Sequence, residues 1–113
     1  MNPVEAHFIR RDPVVRQIYD EILRVSRTFG EFEEQPKKTS IHLARKSAFA
    51  GIATRKDALV LTIKSATDVV DRRVFKREQV SANRWHLEVK LEDPADVDGG
   101  LKRLLERAYE LAG

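Results

Sequence analysis

The stretch from Ile41 to Lys64 restricts the fold more than any other part of the chain. Ile41 and Leu43 alternate with His42 and Ala44, and Leu59, Leu61 and Ile63 alternate with Val60, Thr62 and Lys64. A period of two is the pattern of a half-buried strand. Phe49 to Thr54 lies between these two runs and is predicted as a third strand. Its Gly51 marks a bulge or a close backbone approach. Lys46-Ser47 and Arg55-Lys56-Asp57 are short polar breaks. Connections this short join antiparallel neighbours, because a parallel crossover needs a dozen residues or more.

The flanking segments carry a different period. Asp12-Pro13 opens a helix predicted over 13–29, since Asp is a good N-cap and Pro fits the first helical position. Val14, Ile18, Ile22, Val25 and Phe29 form its apolar stripe, and Gly30 ends it. Asp93-Pro94 repeats the device before a helix predicted over 94–112, with Val97, Leu101, Leu104, Ala108 and Leu111 as the stripe. Gly99-Gly100 weakens its start, so the firm part is expected from about Gly100. Residues 1–12 read as a leader with a turn of helix around Val4 to Phe8. The sheet is expected within 31–92. It includes an edge strand near Glu31 to Gln35, a loop over Ser65 to Arg73, a weaker strand from Val74 to Val80, and a well-patterned one from Arg84 to Glu92. The economical arrangement is an α+β two-layer sandwich. An antiparallel sheet of four to six short strands carries the N-terminal and C-terminal helices on one face.

The chain has 113 residues, a length that suits a single domain over 1–113. With 35% charged residues and 42% hydrophobic ones it is globular, and its formal net charge is +3. It has no cysteine, which excludes disulfides, thiolate metal sites and cysteine nucleophiles. No stretch approaches the roughly 18 apolar residues of a membrane span, and Met1 to His7 lacks the halves of a signal peptide. The expectation is a cytoplasmic protein with no membrane partner.

The run Lys38-Thr39-Ser40-Ile41 leading to Phe49-Ala50-Gly51, then Trp85-His86-Leu87, and the closing Asp-Pro-Ala-Asp-Val-Asp segment with Ala108-Tyr109 together resemble a family of small bacterial domains. Phe8 before Arg11-Asp12-Pro13, and Tyr19 in the first helix, fit it too. That family is the domain of unknown function numbered 5655, and some of its members carry a transport-protein label. The resemblance spans nearly the whole chain and implies no particular activity or cofactor. The helix–sheet–helix order is also similar to the frataxin architecture, which is a likeness of fold alone.

Four sets of residues could carry a function. The first is the sheet face away from the helices, where Ala44, Ala50, Ile52, Val60 and Thr62 are expected beside His42 and His86, with Lys37, Lys38, Arg45 and Arg55 as a basic rim. Such a face suits a protein partner, a small ligand or a second copy of the chain. The second set is the basic doublets Arg10-Arg11, Lys37-Lys38, Arg45-Lys46, Arg55-Lys56, Arg72-Arg73 and Lys76-Arg77. Three of these at one end of the sheet would contact the phosphates of a nucleic acid. The third is His42 with His86, whose imidazoles suit zinc or iron, although no H-x-x-x-H spacing is present. The fourth is an acidic edge of Asp20, Glu21, Glu31, Glu33 and Glu34. No serine sits in G-x-S-x-G, and phosphate loops and dinucleotide fingerprints are absent. The chain is therefore expected to be a non-enzymatic binding or interaction module without a cofactor.

Overall fold

The computed structural model describes residues 3–113, so the first two residues of the leader lie outside the described residues. A 3₁₀ turn at Glu5–Phe8 precedes helix α1 (Pro13–Arg27). Six strands follow: β1 (Glu33–Pro36), β2 (Ile41–Ala44), β3 (Ala48–Thr54), β4 (Leu59–Ser65), β5 (Val74–Ser81) and β6 (Arg84–Leu91). A second 3₁₀ turn, Pro94–Asp96, leads to α2 (Gly99–Leu111). The strands form one sheet in the order β1-β2-β3-β4-β6-β5, and every neighbouring pair is antiparallel. Helix α2 lies against β3 and β4, and α1 touches α2 and β4. The α+β sandwich read from the sequence is the fold.

Burial explains the one swap in strand order. Strand β6 buries Leu87, Val89 and Leu91, whereas β5 buries only Val74. The apolar strand takes the place beside β4 and the polar one becomes the edge. This requires residues 66–73 to run back along the sheet before β5 begins, which is why that segment carries no strand pattern.

Cross-strand register assigns each side chain to a face, because paired residues point the same way. Ile41, Ile52, Leu61 and Val89 form one row across β2, β3, β4 and β6, and Leu43, Ala50, Ile63 and Leu87 form the next. All eight are buried and belong to the core under the helices. Ile52 and Ala50 therefore do not lie on the open face, where strict alternation through β3 from an inward Phe49 would put them. The cause is a bulge. Leu43 pairs with Ala50 but Ala44 pairs with Ala48, so Phe49 is an extra residue in β3. It turns inward against Phe32 and Tyr109, with ring centroids 5.7 and 5.4 Å away.

Both helix starts differ in detail from the sequence reading. Asp12 forms no side-chain cap. Its backbone N–H instead donates to Lys56 O at 2.7 Å, which docks α1 onto the β3–β4 turn. The buried stripe of α1 is rotated to include Val15, Tyr19 and Leu23, leaving Val14 half-buried. Before α2, Asp93 and Asp96 form a capping box around a separate 3₁₀ turn. The helix itself starts after Asp98, whose carboxylate accepts from Leu101 N at 3.0 Å. Gly99 and Gly100 thus occupy its first turn.

Gly30 has φ +146°, and a Cβ there would collide with Tyr109 Oη. That hydroxyl donates to Glu31 O at 2.9 Å and holds the α1–β1 connection against α2. Gly30→Ala combines backbone strain with this collision and should cost about 1–3 kcal/mol in urea unfolding. Adding Tyr109→Phe, which removes the colliding oxygen, should recover part of the loss beyond the sum of the single changes.

Candidate binding site on the open sheet face

The face opposite the helices is organised around Gly51. One row across it is Gln35, His42, Gly51, Thr62, Glu88 and Lys76, running from β1 to β5. Ala53, Val60 and Lys90 make the row on one side of it, and Lys64, His86 and Glu78 lie on the other. Gly51 is in a central strand, where β-branched and aromatic residues usually serve best. Its φ is not in the left-handed range. A Cβ at Gly51 would meet only His42 Cδ2 and Thr62 Cβ, both at 3.8 Å, an ordinary van der Waals distance. Neither backbone geometry nor crowding demands glycine here. The absent side chain adds to the space of a hollow of about 250 Å³, lined among others by Ser40, His42, Ala53, Thr62, Lys64 and His86.

Lys37 and Arg84 place positive charge near this hollow. Burial, and then the charge of Lys37, hold the His42 imidazole below its ordinary value. Burial, and then the charge of Arg84, lower the Lys64 ammonium. Two basic groups on the same face are thus each disfavoured in their charged form by a neighbouring cation. Glu88 does not offset this, since it is paired with Lys76 at 3.4 Å. Lys64 Nζ donates to Ser47 Oγ at 2.9 Å, which steadies it at the margin of the hollow.

The structure redistributes the residues expected here. His42, Thr62 and His86 line the hollow. Val60 is on the same face but only 8% exposed, between Ala53 and Lys90. Ala44 is buried and borders a different hollow, at the C-terminal end of α1, with Arg27, Gly30 and Phe32. Arg45 is not part of a rim. Its Nη1 donates to Tyr109 O at 2.9 Å and its guanidinium lies over the Tyr109 ring at 4.1 Å from the centroid. Lys37, Lys38 and Arg55 are exposed, in the β1–β2 and β3–β4 turns. Antiparallel pairing puts those two turns at the same end of the sheet. Lys64 was missed because its place in the strand marked it only as solvent-facing. Gly51, singled out for its backbone, matters for the space above it.

The histidine pair does not make a metal centre. His42 on β2 and His86 on β6 are separated by three strand spacings, about 14 Å. Among the described residues, no group of three or more His, Cys, Asp or Glu side chains could hold a metal ion. Three of the five carboxylates of the acidic edge are engaged by partners of their own. Asp20 pairs with Arg16 at 3.0 Å, Glu21 with Arg24, and Glu34 accepts from the buried Tyr19 hydroxyl at 2.9 Å. Burial, and then that bond, push the Tyr19 phenol up, so it remains a donor.

His42 makes the site sensitive to pH. The unfolded chain takes up a proton near the ordinary value of 6.5, the folded chain only below it. In that interval the unfolded state binds more protons, so stability is full above it and declines as pH falls through it. The imidazole resonance of His42 should titrate with a midpoint under 6.5. The melting temperature of His42→Gln should fall less steeply with acid than that of the unsubstituted protein.

No helix among the described residues is long and apolar enough to cross a membrane. Neither the curated proteins nor the solved structures gave a match to the chain. A family model does match, from residue 4 to residue 112, and on that match the chain belongs to the family described as Domain of unknown function (DUF5655).

Proposed function

We propose that this chain is a non-enzymatic binding module whose open sheet face receives an anionic group, on a small ligand or a protein partner, in the hollow over Gly51. The observation that carries the reading is the glycine itself. A strand interior loses stability by holding glycine, and here the vacated space opens between two imidazoles and a lysine. Lys37 and Arg84, near His42 and Lys64, supply the attraction, and Ser40 and Thr62 supply hydroxyl donors. Ser40 and His42 share no hydrogen bond among the described residues. With the Ile52 and Ala50 side chains in the core, the apolar side chains left in the outward rows are Ala53 and Val60, and Ala48, Phe49, Ala50 and Ile52 still border the hollow. Charge and hydrogen bonding would select for the anionic group.

Inorganic pyrophosphate is a suitable first probe. Titration followed by backbone amide resonances should shift Gly51 and Thr62 saturably and raise the His42 midpoint, because a bound anion favours imidazolium. Gly51→Val fills the hollow and Lys64→Glu reverses its charge. Each should weaken binding by about tenfold or more, equivalent to about 1.4 kcal/mol, while leaving the fold cooperative. Pyrophosphate binding that Gly51→Val leaves untouched would remove the reading.

A second reading rests on the ends of the strands. Antiparallel pairing brings Lys37-Lys38, Arg55-Lys56 and Arg72-Arg73 to one end of the sheet, and the Asp12–Lys56 backbone bond brings Arg10-Arg11 there as well. Arg73 is held by Asp71 and Asp98, and Arg11 by Thr54 Oγ1. The other six cations form no ion pair among the described residues. Contact with nucleic-acid phosphates through this end predicts affinity for a labelled duplex that falls steeply with salt and is weakened by Lys38→Glu and Arg55→Glu. Anisotropy unchanged at low salt would exclude it.

A further inference from the structure

The two helices do not roof the whole sheet. Each is about 10 Å across, so together they cover about four strands at about 4.8 Å apiece. The inner face of β6, towards the β5 edge, is left to residues 66–73. Where that segment bridges from β4 towards α2 it leaves a cleft of about 420 Å³. Ile63 and Leu87 form its floor, and Leu104, Leu111 and Val69 form its walls. Arg107 and Glu110, one turn apart on α2, stand with these residues around it.

The volume lies within the usual range of small-molecule sites, and so does the combination of apolar walls with a few polar groups. The walls come from a central strand, its neighbour, a helix and the bridging segment, so they exist before any ligand arrives. Arg107 forms no ion pair with Glu110 or with any other carboxylate among the described residues. An Arg guanidinium beside an apolar cleft is complementary to a molecule with a hydrocarbon body and a carboxylate head. We infer that this cleft is a second binding site, for a medium-chain carboxylic acid. Its alkyl chain would lie between Leu87 and Leu104, with its carboxylate on Arg107. The site is on the helix side of the sheet and does not involve Gly51; Lys64, at the end of β4, borders both this cleft and the open-face hollow.

The chain carries its own reporter. Its single tryptophan, Trp85, pairs in register with Ser65 at the margin of the cleft and stands two residues from Leu87 along β6. Octanoate, titrated below its micellar range, should change Trp85 fluorescence saturably. Leu104→Phe, which adds bulk inside the cleft at a half-buried helix position, should weaken octanoate binding by about tenfold, and Arg107→Glu should do the same. Arg107→Glu should also reverse the preference, so that octylammonium binds better than octanoate. Thermal melts of both variants establish that they fold. Gly51→Val, which fills the hollow on the other face, should leave octanoate binding unchanged. Absence of a saturable change in the unsubstituted protein would overturn the inference. So would octanoate binding that neither Leu104→Phe nor Arg107→Glu alters.

Discussion

The extra residue in β3 is the constraint on which the rest of the molecule depends. A strand without a bulge can present either Phe49 or Ile52 to the core, because three positions separate them and a period of two sends them to opposite faces. The bulge opposite Leu43 and Ala44 lets both turn inward. Ile52 then completes the row with Ile41, Leu61 and Val89. Phe49 completes an aromatic cluster in which Tyr109 contacts both Phe49 and Phe29. That cluster joins the end of α1, the approach to β1, the start of β3 and the end of α2. The same shift puts Gly51 outward, next to Thr62, under the open-face hollow.

Tyr109 shows how the two ends of the chain are tied through this cluster. Its hydroxyl holds Glu31 O, its ring lies under Arg45, and its carbonyl accepts from Arg45 Nη1. Lys46 N and Ser47 N also donate to Ala112 O. The C-terminal carbonyls of α2, which have no partner within the helix, are thus satisfied by the β2–β3 turn. A cation at a helix C-terminus is favoured by the dipole as well. Arg45 is therefore committed to holding α2 in place, and the open face keeps Lys76 and Lys90, both exposed, and the half-buried Lys64 as its own cations.

How much of this was legible beforehand follows from which interactions are local. The alternation of Trp85, Leu87, Val89 and Leu91 and the helical spacing of Leu101, Leu104 and Ala108 are local, and they placed the strand, the helix and the sandwich. The polar character of β5 is local too, and it anticipated a weak strand. The bulge is not local. Phe49-Ala50-Gly51-Ile52 offers apolar groups in both phases, and only pairing with β2 decides where the extra residue goes. The exclusion of Ile52 and Ala50 from the open face follows from that pairing. The capture of Arg45 by Tyr109, 64 residues away, had no signal in the sequence beyond its position at a strand end. Gly51 was recognised as unusual, but only the structure shows that its φ is ordinary and that the space beside it is empty.

A six-stranded sheet with two helices has an unavoidable mismatch. The helices can shield about four strands, and six must be accommodated. The chain handles one surplus strand by making β1 four residues long and ending it in Pro36, which limits further pairing. It handles the other by making β5 polar and drawing residues 66–73 across the inner face beside it, where Asp68 pairs with Arg77 at 2.7 Å. A bridging segment shields the inner side of β6 less completely than a helix would. The cleft under Val69 and Leu104 is the remainder. The open-face hollow lies elsewhere, over Gly51 in a fully paired central strand. The two cavities therefore lie on opposite faces of the sheet. That is why a substitution filling one of them should leave the other intact.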